Sequence, residues 1–262
     1  MLAKGVASMI WWVVAGILSY VAVPLLRPIF ADQKRKNYLG EETPTGLGIA
    51  FVLSGGLVTT ARLQLEFAAL FVLTLLFFAI FGFVDDVYGE MSRKGFRGHF
   101  GARQLSTGAL KALGGSVAAL VIASSLATNA WELLLNGLNI ALMANFMNLL
   151  DLRPGRCGKT FIVLSFFVYL LRPEALGPLL TMLWAVAGFL FWDLKRSVMM
   201  GDTGSNALGA VLGLACTIAF SLWGRIVLSL VLVGLNLLSE RVSFSEVIES
   251  NPVLRYLDQL GR

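Results

Sequence analysis

Asp85 and Asp86 stand side by side in "GFVDDVYGE", where an apolar run of the chain gives way to polar residues. Adjacent carboxylates repel each other unless a cation or basic group neutralises them, so a hard, oxygen-loving ion such as Mg2+ is their natural partner. The plain alternative is a solvated acidic turn. Further along, "NFMNLLD" spaces Asn145, Asn148 and Asp151 three residues apart. On a helix this lines two amides and a carboxylate along one stripe, an oxygen-rich ligand surface, unless they merely cap a helix end. A third stretch, "MMGDTGSNALG", sets Asp202 between Gly201 and Gly204 and follows it with Thr203 and Ser205. The glycines permit tight turns with exposed amides. A helix beginning near Ser205 would turn its positive end toward an anion, or Ser205 would simply cap it.

Phosphate is one anion that such groups handle, and "DLRPGRCGKT" tests the most familiar way of binding it. Gly158, Lys159 and Thr160 supply the end of a nucleotide-binding P-loop, but Arg153 stands where its first glycine belongs, and an apolar run rather than a strand precedes it. The P-loop reading is excluded.

Positioning these groups falls to apolar helices. The chain has 262 residues, 57% hydrophobic and 14% charged, with a mean hydropathy of +0.77, too apolar for an ordinary soluble domain. Lipid admits only helices and closed barrels, and the apolar runs here are continuous rather than alternating. The expected fold is an all-α polytopic membrane protein of about nine transmembrane helices. Apolar segments lie near 6–26, 46–60, 66–84, 110–128, 131–150, 160–171, 178–192, 206–222 and 224–238. The first follows Lys4 without a small-residue cleavage site and reads as a retained span. Between the segments, 17 of the 21 Lys and Arg fall on one side, which the positive-inside bias makes cytoplasmic, with the N-terminus outside and the C-terminus inside. Asp85, Asp86, Asp151 and Asp202 share that side. The net charge of +5 is mainly this topology signal, and it suits anionic substrates and lipid headgroups; nothing points to nucleic acid. Cys157 and Cys216 read as two reduced thiols. Residues 1–238 form the transmembrane domain and 239–262 an amphipathic cytoplasmic tail, broken at Asn251-Pro252 into two short helices. Such a tail would lie on the membrane surface, fold over the site or bind a partner.

The three acidic motifs in this order, with "TPTGLG" at 43–48 and Lys111 opening the fourth span, resemble the polyprenyl-phosphate N-acetylhexosamine-1-phosphate transferases over residues 43–222. The resemblance implies a multi-pass enzyme of the bacterial cytoplasmic (inner) membrane, its site on the cytoplasmic face, working in cell-envelope glycan synthesis. It would move a sugar-1-phosphate from a UDP-sugar to a polyprenyl phosphate such as undecaprenyl phosphate and release UMP, with Mg2+ as cofactor and Mn2+ as its alternative. By the same resemblance Asp202 is the main metal ligand, joined by Asp151; Asp85 and Asp86 are the paired catalytic acids, and Asp151 with Asn148 is the third acidic element. Lys111 resembles the catalytic basic residue near the phosphates. Asn145, Asn148, Thr45, Arg153, Arg156 and Lys159 are the expected substrate contacts, and a homodimer the assembly considered. The chemistry agrees: a phosphate monoester has its second pKa near 6, so the lipid phosphate is already largely a dianionic nucleophile. Catalysis then needs charge neutralisation and in-line positioning. Whether Asp85 acts as base or nucleophile stays open.

The chain also departs from that family. A late cytoplasmic loop with a histidine and a tenth span are usual there; here "LLSERVSFSEVIESNPVLRYLDQLGR" follows the last apolar segment. The one histidine, His99, sits in "RKGFRGHFGARQ". "DLRPGRCGKT" brings in Arg153 and Arg156 where an acid is commoner, which favours a more anionic donor or product. "TPTGLG" lacks the usual upstream lysine and has Glu41 and Glu42 nearby. A catalytically weak relative that binds polyprenyl phosphate and regulates or scaffolds envelope assembly is the alternative. A lipid carrier fits less well, because the charges gather at one face rather than along a transmembrane path.

Overall fold

The computed structural model describes residues 2–62, 67–95 and 107–262. His99 lies outside the described residues, as does the side chain of Lys111. Nine helices coincide with the nine apolar segments: α1 (Leu2–Leu26), α2 (Ile49–Thr60), α3 (Ala68–Gly95), α4 (Thr107–Ser124), α5 (Ala130–Leu150), α6 (Arg156–Leu171), α7 (Gly177–Leu194), α8 (Gly201–Ala219) and α9 (Leu222–Ser239). Five of these, α1, α3, α5, α7 and α9, carry stretches long and apolar enough to cross a bilayer. The tail folds as α10 (Phe244–Ser250) and α11 (Pro252–Gln259), with the break at Asn251. The protein is thus an α-helical membrane protein.

The bundle is organised around α8, nearly every residue of which is buried. Helices α3 and α5 flank it, α6 and α2 also touch it, and the outer helices α1, α4, α7 and α9 pack on that inner layer. A helix buried on all sides has no lipid to face, so it can carry the polar opening "GDTGSN". Small residues let its neighbours close in. Gly209 and Gly213 sit against the α5 backbone at Met143–Ala144 and Asn139–Ile140, and Gly82 of α3 leaves no room for a Cβ against the Asp202 carbonyl.

Three local features depart from the sequence expectation. Helix α3 continues past its apolar stretch to Gly95, so Asp85 and Asp86 lie within a helix rather than on an acidic turn. Helix α8 starts at Gly201, not near Ser205. And a small antiparallel hairpin, β1 (Lys34–Lys36) with β2 (Glu42–Pro44), connects α1 to α2, pairing Lys34 with Pro44, Arg35 with Thr43 and Lys36 with Glu42. Its turn is set by Asn37, whose Oδ1 accepts from the amides of Leu39 (2.9 Å) and Glu41 (3.0 Å). Strands of three polar residues lack the apolar alternation that betrays a strand in a sequence.

Candidate active site

The first turn of α8 is where the separate motifs meet. Gly201 adopts φ +72°, and a Cβ there would lie 2.6 Å from Asp86 Oδ2, so only glycine fits. From this turn the Asp202 amide donates to Asp86 Oδ1 (3.0 Å), while the Thr203 amide (2.8 Å) and hydroxyl (2.6 Å) donate to Asp86 Oδ2. The Gly201 amide is turned toward Asp151 and favours its charged form. The positive end of α8 is therefore turned on anions as expected, but the anions are the protein's own carboxylates. This also explains the early start of the helix: Asp86 takes the amides of Asp202 and Thr203, so the first turn is capped from α3 and the helix does not wait for Ser205. Ser205 Oγ instead donates to Asn148 Oδ1 (2.8 Å) and Gly201 O (3.1 Å).

The "TPTGLG" stretch docks on the same turn through its backbone. Met199 N donates to Pro44 O (2.8 Å), Leu47 N to Met199 O (3.2 Å) and Gly48 N to Met200 O (2.9 Å). Thr45 is 2% exposed, and its amide donates to Gln33 O (2.9 Å), one rung beyond the Lys34–Pro44 pair, so its backbone extends the hairpin while its side chain is buried. Arg35 of β1 reaches across to the carbonyls of Asp85 (3.0 Å) and Asp86 (3.3 Å).

The two paired acids divide their work. Neighbouring residues on an α-helix point about 100° apart, so the two carboxyls leave the helix in different directions. Asp86, 7% exposed, turns to α8 and spends both oxygens there; it positions the site. Asp85 is half-buried beside it. The α5 stripe divides as well, since three-residue steps drift by about 60° each. Asn148 and Asp151 face α8, whereas Asn145 bonds the side chain of Asn236 on α9.

Asp151 ends α5 and stands outside its apolar stretch. Burial pushes its carboxyl well above the usual range, and the nearby charges of Asp193, Asp202 and Asp86 push it further; the Gly201 amide pulls the other way. Asp193, at the end of α7, is a residue that the sequence reading passed over. It is 4% exposed and accepts from the Gly155 amide (2.7 Å). Like the four expected acids it stands at the basic-side end of an apolar segment, and that was the available signal; it lacks the flanking glycines and amides that drew attention to the others.

Beside these carboxylates opens a cavity of about 420 Å³, lined by Asp151, Asp193, Lys36, Tyr38 and Arg153, with Ser245 of the tail at its rim. Acids, cations and an aromatic ring converge there, which suits a phosphorylated, sugar-bearing ligand. A second cavity, about 450 Å³, lies between α3, α4, α5, α8 and α9, lined by Phe78, Phe81, Leu142, Asn145, Asn206 and Asn236. Asn206 is one turn beyond Asp202 and donates to its carbonyl (2.7 Å). This second cavity thus comes within a helical turn of the acidic centre.

The expected basic substrate contacts are placed differently. Arg156 is 4% exposed and donates to both oxygens of Asp258 (2.9 and 3.0 Å) and to Ser245 Oγ (2.8 Å). Lys159 Nζ donates to the carbonyls of Leu257, Asp258 and Leu260. Arg153 pairs with Glu249 (3.2 Å) and lies 4.9 Å over the Tyr38 ring. The tail holds Arg156 and Lys159; of the three, Arg153 alone lines the acidic cavity.

Oxygen donors with surplus negative charge suit a hard divalent cation. Among the described residues no three His, Cys, Asp or Glu side chains stand close enough to hold an ion by themselves. That still fits Mg2+, which is commonly held by one or two carboxylates and completes its octahedron with water and substrate phosphate oxygens.

Comparison with known proteins agrees with this geometry. The profile of glycosyl transferase family 4 matches residues 68–220, more than half of the chain, from the start of α3 to just past α8. The phospho-N-acetylmuramoyl-pentapeptide-transferase of Thermotoga neapolitana is 30% identical over 223 residues, 75% of this chain and 70% of the relative. That of Staphylococcus aureus is 27% identical over 274 residues, 89% of this chain and 82% of the relative. The Thermotoga maritima enzyme of the same name is 27% identical over 223 residues, with coverage of 75% and 70%. With α3, α5 and α8 bringing the acidic motifs to one helical turn inside the matched region, the chain belongs to glycosyl transferase family 4, within the polyprenyl-phosphate hexosamine-1-phosphate transferase superfamily that its motifs resemble.

Proposed function

We propose that this chain transfers a sugar-1-phosphate from a UDP-sugar to a polyprenyl phosphate, releasing UMP, in cell-wall synthesis. The observation that carries the reading is the convergence of Asp86, Asn148, Asp151 and Thr203 on the start of α8, between a cavity lined by acids and cations and one lined mainly by aromatic, aliphatic and amide side chains. The two substrates have that character: a nucleotide sugar on the charged side, an isoprenoid chain on the other, and phosphates on both. An oxygen of the lipid phosphate attacks the sugar-bearing phosphorus of the donor, the bond from that phosphorus to the bridging oxygen breaks, and UMP leaves with the electron pair.

The residues contribute mainly position and charge. Asp202 with Asp151 would hold Mg2+, which when bound neutralises the diphosphate and the developing charge. Asp86 fixes the turn that carries Asp202, and Asn148 fixes it from the side of α5 through Ser205. Asp85 stands ready to accept a proton from the minor, monoanionic form of the lipid phosphate. Arg153 and Lys36, lining the charged cavity, face the donor's phosphates. The bias of Lys and Arg toward this end of the bundle supports a cytoplasmic site, where the donor is made.

Purified protein supplied with polyprenyl phosphate and a panel of UDP-sugars tests the reading. It should release UMP with at least one donor, and only when acceptor and Mg2+ are both present. One observation favours the alternative of a lipid-phosphate-binding scaffold: the tail already occupies the donors of Arg156 and Lys159. Tight binding of polyprenyl phosphate with no UMP from any donor would establish that alternative and overturn the transferase.

A further inference from the structure

Helix α11 is held on one edge and bare on the rest. Its N-terminus is capped by Asn251, whose Oδ1 accepts from Val253 N (3.0 Å) and Leu254 N (3.1 Å), and Pro252 opens its first turn. Its last carbonyls are closed by Lys159 Nζ, at 2.8 Å from Leu257 O and 2.6 Å from Asp258 O. Asp258 bonds Arg156 and, at 2.9 Å, Arg262. No residue of the helix is buried. Val253 and Tyr256 are each 67% exposed, Leu257 51% and Leu260 52%, and their spacing puts them on one arc, facing away from Asp258.

Eight residues without a packed face do not make a stable helix in water, so the arc requires a cover. Its position indicates which. A cavity of about 440 Å³ separates α11 from the start of α6, lined by Ile162, Val163, Leu164, Leu254 and Leu257. The outward stripe of α6 continues from there as Val163 (53% exposed), Phe166 (49%), Phe167 (61%) and Leu170 (54%), the pattern of a helix facing lipid. The arc of α11 therefore lies alongside the first two turns of α6, about 10 Å of helix beyond Arg156, where α6 passes from its charged start to its outward apolar stripe. A tyrosine there is a common interfacial anchor. Residues 239–262 hold three arginines against four acids, so attraction to anionic headgroups is not the driving force.

We infer that α11 is an interfacial membrane helix: it docks into the leaflet at which α6 begins, through Val253, Tyr256, Leu257 and Leu260, by apolar burial rather than headgroup charge. So docked, it keeps Asp258 on Arg156 and its carbonyls on Lys159, and thereby fixes the loop between α5 and α6 that borders the acidic cavity. The inference rests on the lipid-facing side of α6 and is independent of the transferase chemistry.

Nitroxide labels on Val253→Cys and, separately, Arg255→Cys of the full chain test it, both positions being exposed and thus tolerant of substitution. The protein is placed in vesicles of phosphatidylcholine alone and of phosphatidylethanolamine with phosphatidylglycerol; the parent chain, whose Cys157 and Cys216 are buried, gives the background. In both vesicles the ratio of collision with oxygen to collision with a water-soluble nickel chelate should be several-fold higher at 253 than at 255. Equal ratios at the two positions would overturn the proposal in favour of a solvated tail. Shielding of 253 from both reagents would overturn it in favour of a protein cover, such as a second copy of the chain. A high ratio at 253 only with phosphatidylglycerol would overturn the apolar mode of docking.

Discussion

The two ends of α5 carry similar side chains to opposite purposes. At its start, Glu132 accepts from Thr128 through the amide (3.0 Å) and hydroxyl (2.8 Å), and Arg225 of α9 donates to Glu132 (3.2 Å) and Asn136 (2.8 Å). Asn139 donates to the Arg225 carbonyl (3.0 Å) and accepts from Ser229 (2.8 Å). One carboxylate meets one guanidinium, and the amides join α5 to α9. At its end, Asn148 and Asp151 meet α8, where Asp86, Asp193 and Asp202 crowd in and Arg35 gives its hydrogen bonds to backbone carbonyls. Amides and acids at a span end therefore do not mark a site by their presence. Their neighbours do: at one end a carboxylate faces a guanidinium and the group is a brace, while at the other several carboxylates gather among the described residues, which supports the proposed cation and its phosphates.

Two substitutions should cross over. Asp151→Asn should lower kcat by on the order of 10²–10³-fold while leaving the cation-free protein more stable than the parent above the ordinary carboxylate range. The sign follows from its raised carboxyl: the folded state holds that proton more tightly than the unfolded one, so stability falls as pH rises from the unfolded value toward the folded one. Asparagine keeps the acceptor for Gly201 and removes the fall. Thermal unfolding against pH, without Mg2+, reads this directly. Arg225→Ala should do the reverse, leaving kcat of the folded protein unchanged and costing about 1–3 kcal/mol, because Asn136, fully buried, loses the donor at its oxygen. Equal effects of both variants on rate and stability would erase the distinction between the two ends.

Much of this was legible in the sequence, for a physical reason. Lipid selects continuous apolar runs, and nine of them became α1 to α9; Asn251-Pro252 stops one helix and starts another, and it divided the tail as expected. The acidic motifs also met, since span ends of one charge bias share one end of a bundle. What stayed hidden depends on direction rather than composition. That Asp86 would turn to α8 follows from helix phase relative to a neighbour no sequence names. Arg156 and Lys159 read as substrate cations because their partner, Asp258, lies 102 residues from Arg156. Asp193 carried no local pattern, and the β1–β2 hairpin is polar and three residues deep. The brace at the other end of α5 went unread because Glu132, Asn136, Asn139 and Arg225 become a unit only once α9 packs against α5.

The central claim is that the turn opening α8 carries the chemistry and that Asp202 is its working carboxylate. UMP release by Asp202→Asn, measured with polyprenyl phosphate, Mg2+ and a donor the parent accepts, tests it most directly. The account predicts no release above background at an unchanged unfolding midpoint, because it is the backbone amide of residue 202, which asparagine retains, that binds Asp86. Turnover equal to that of the parent would contradict it.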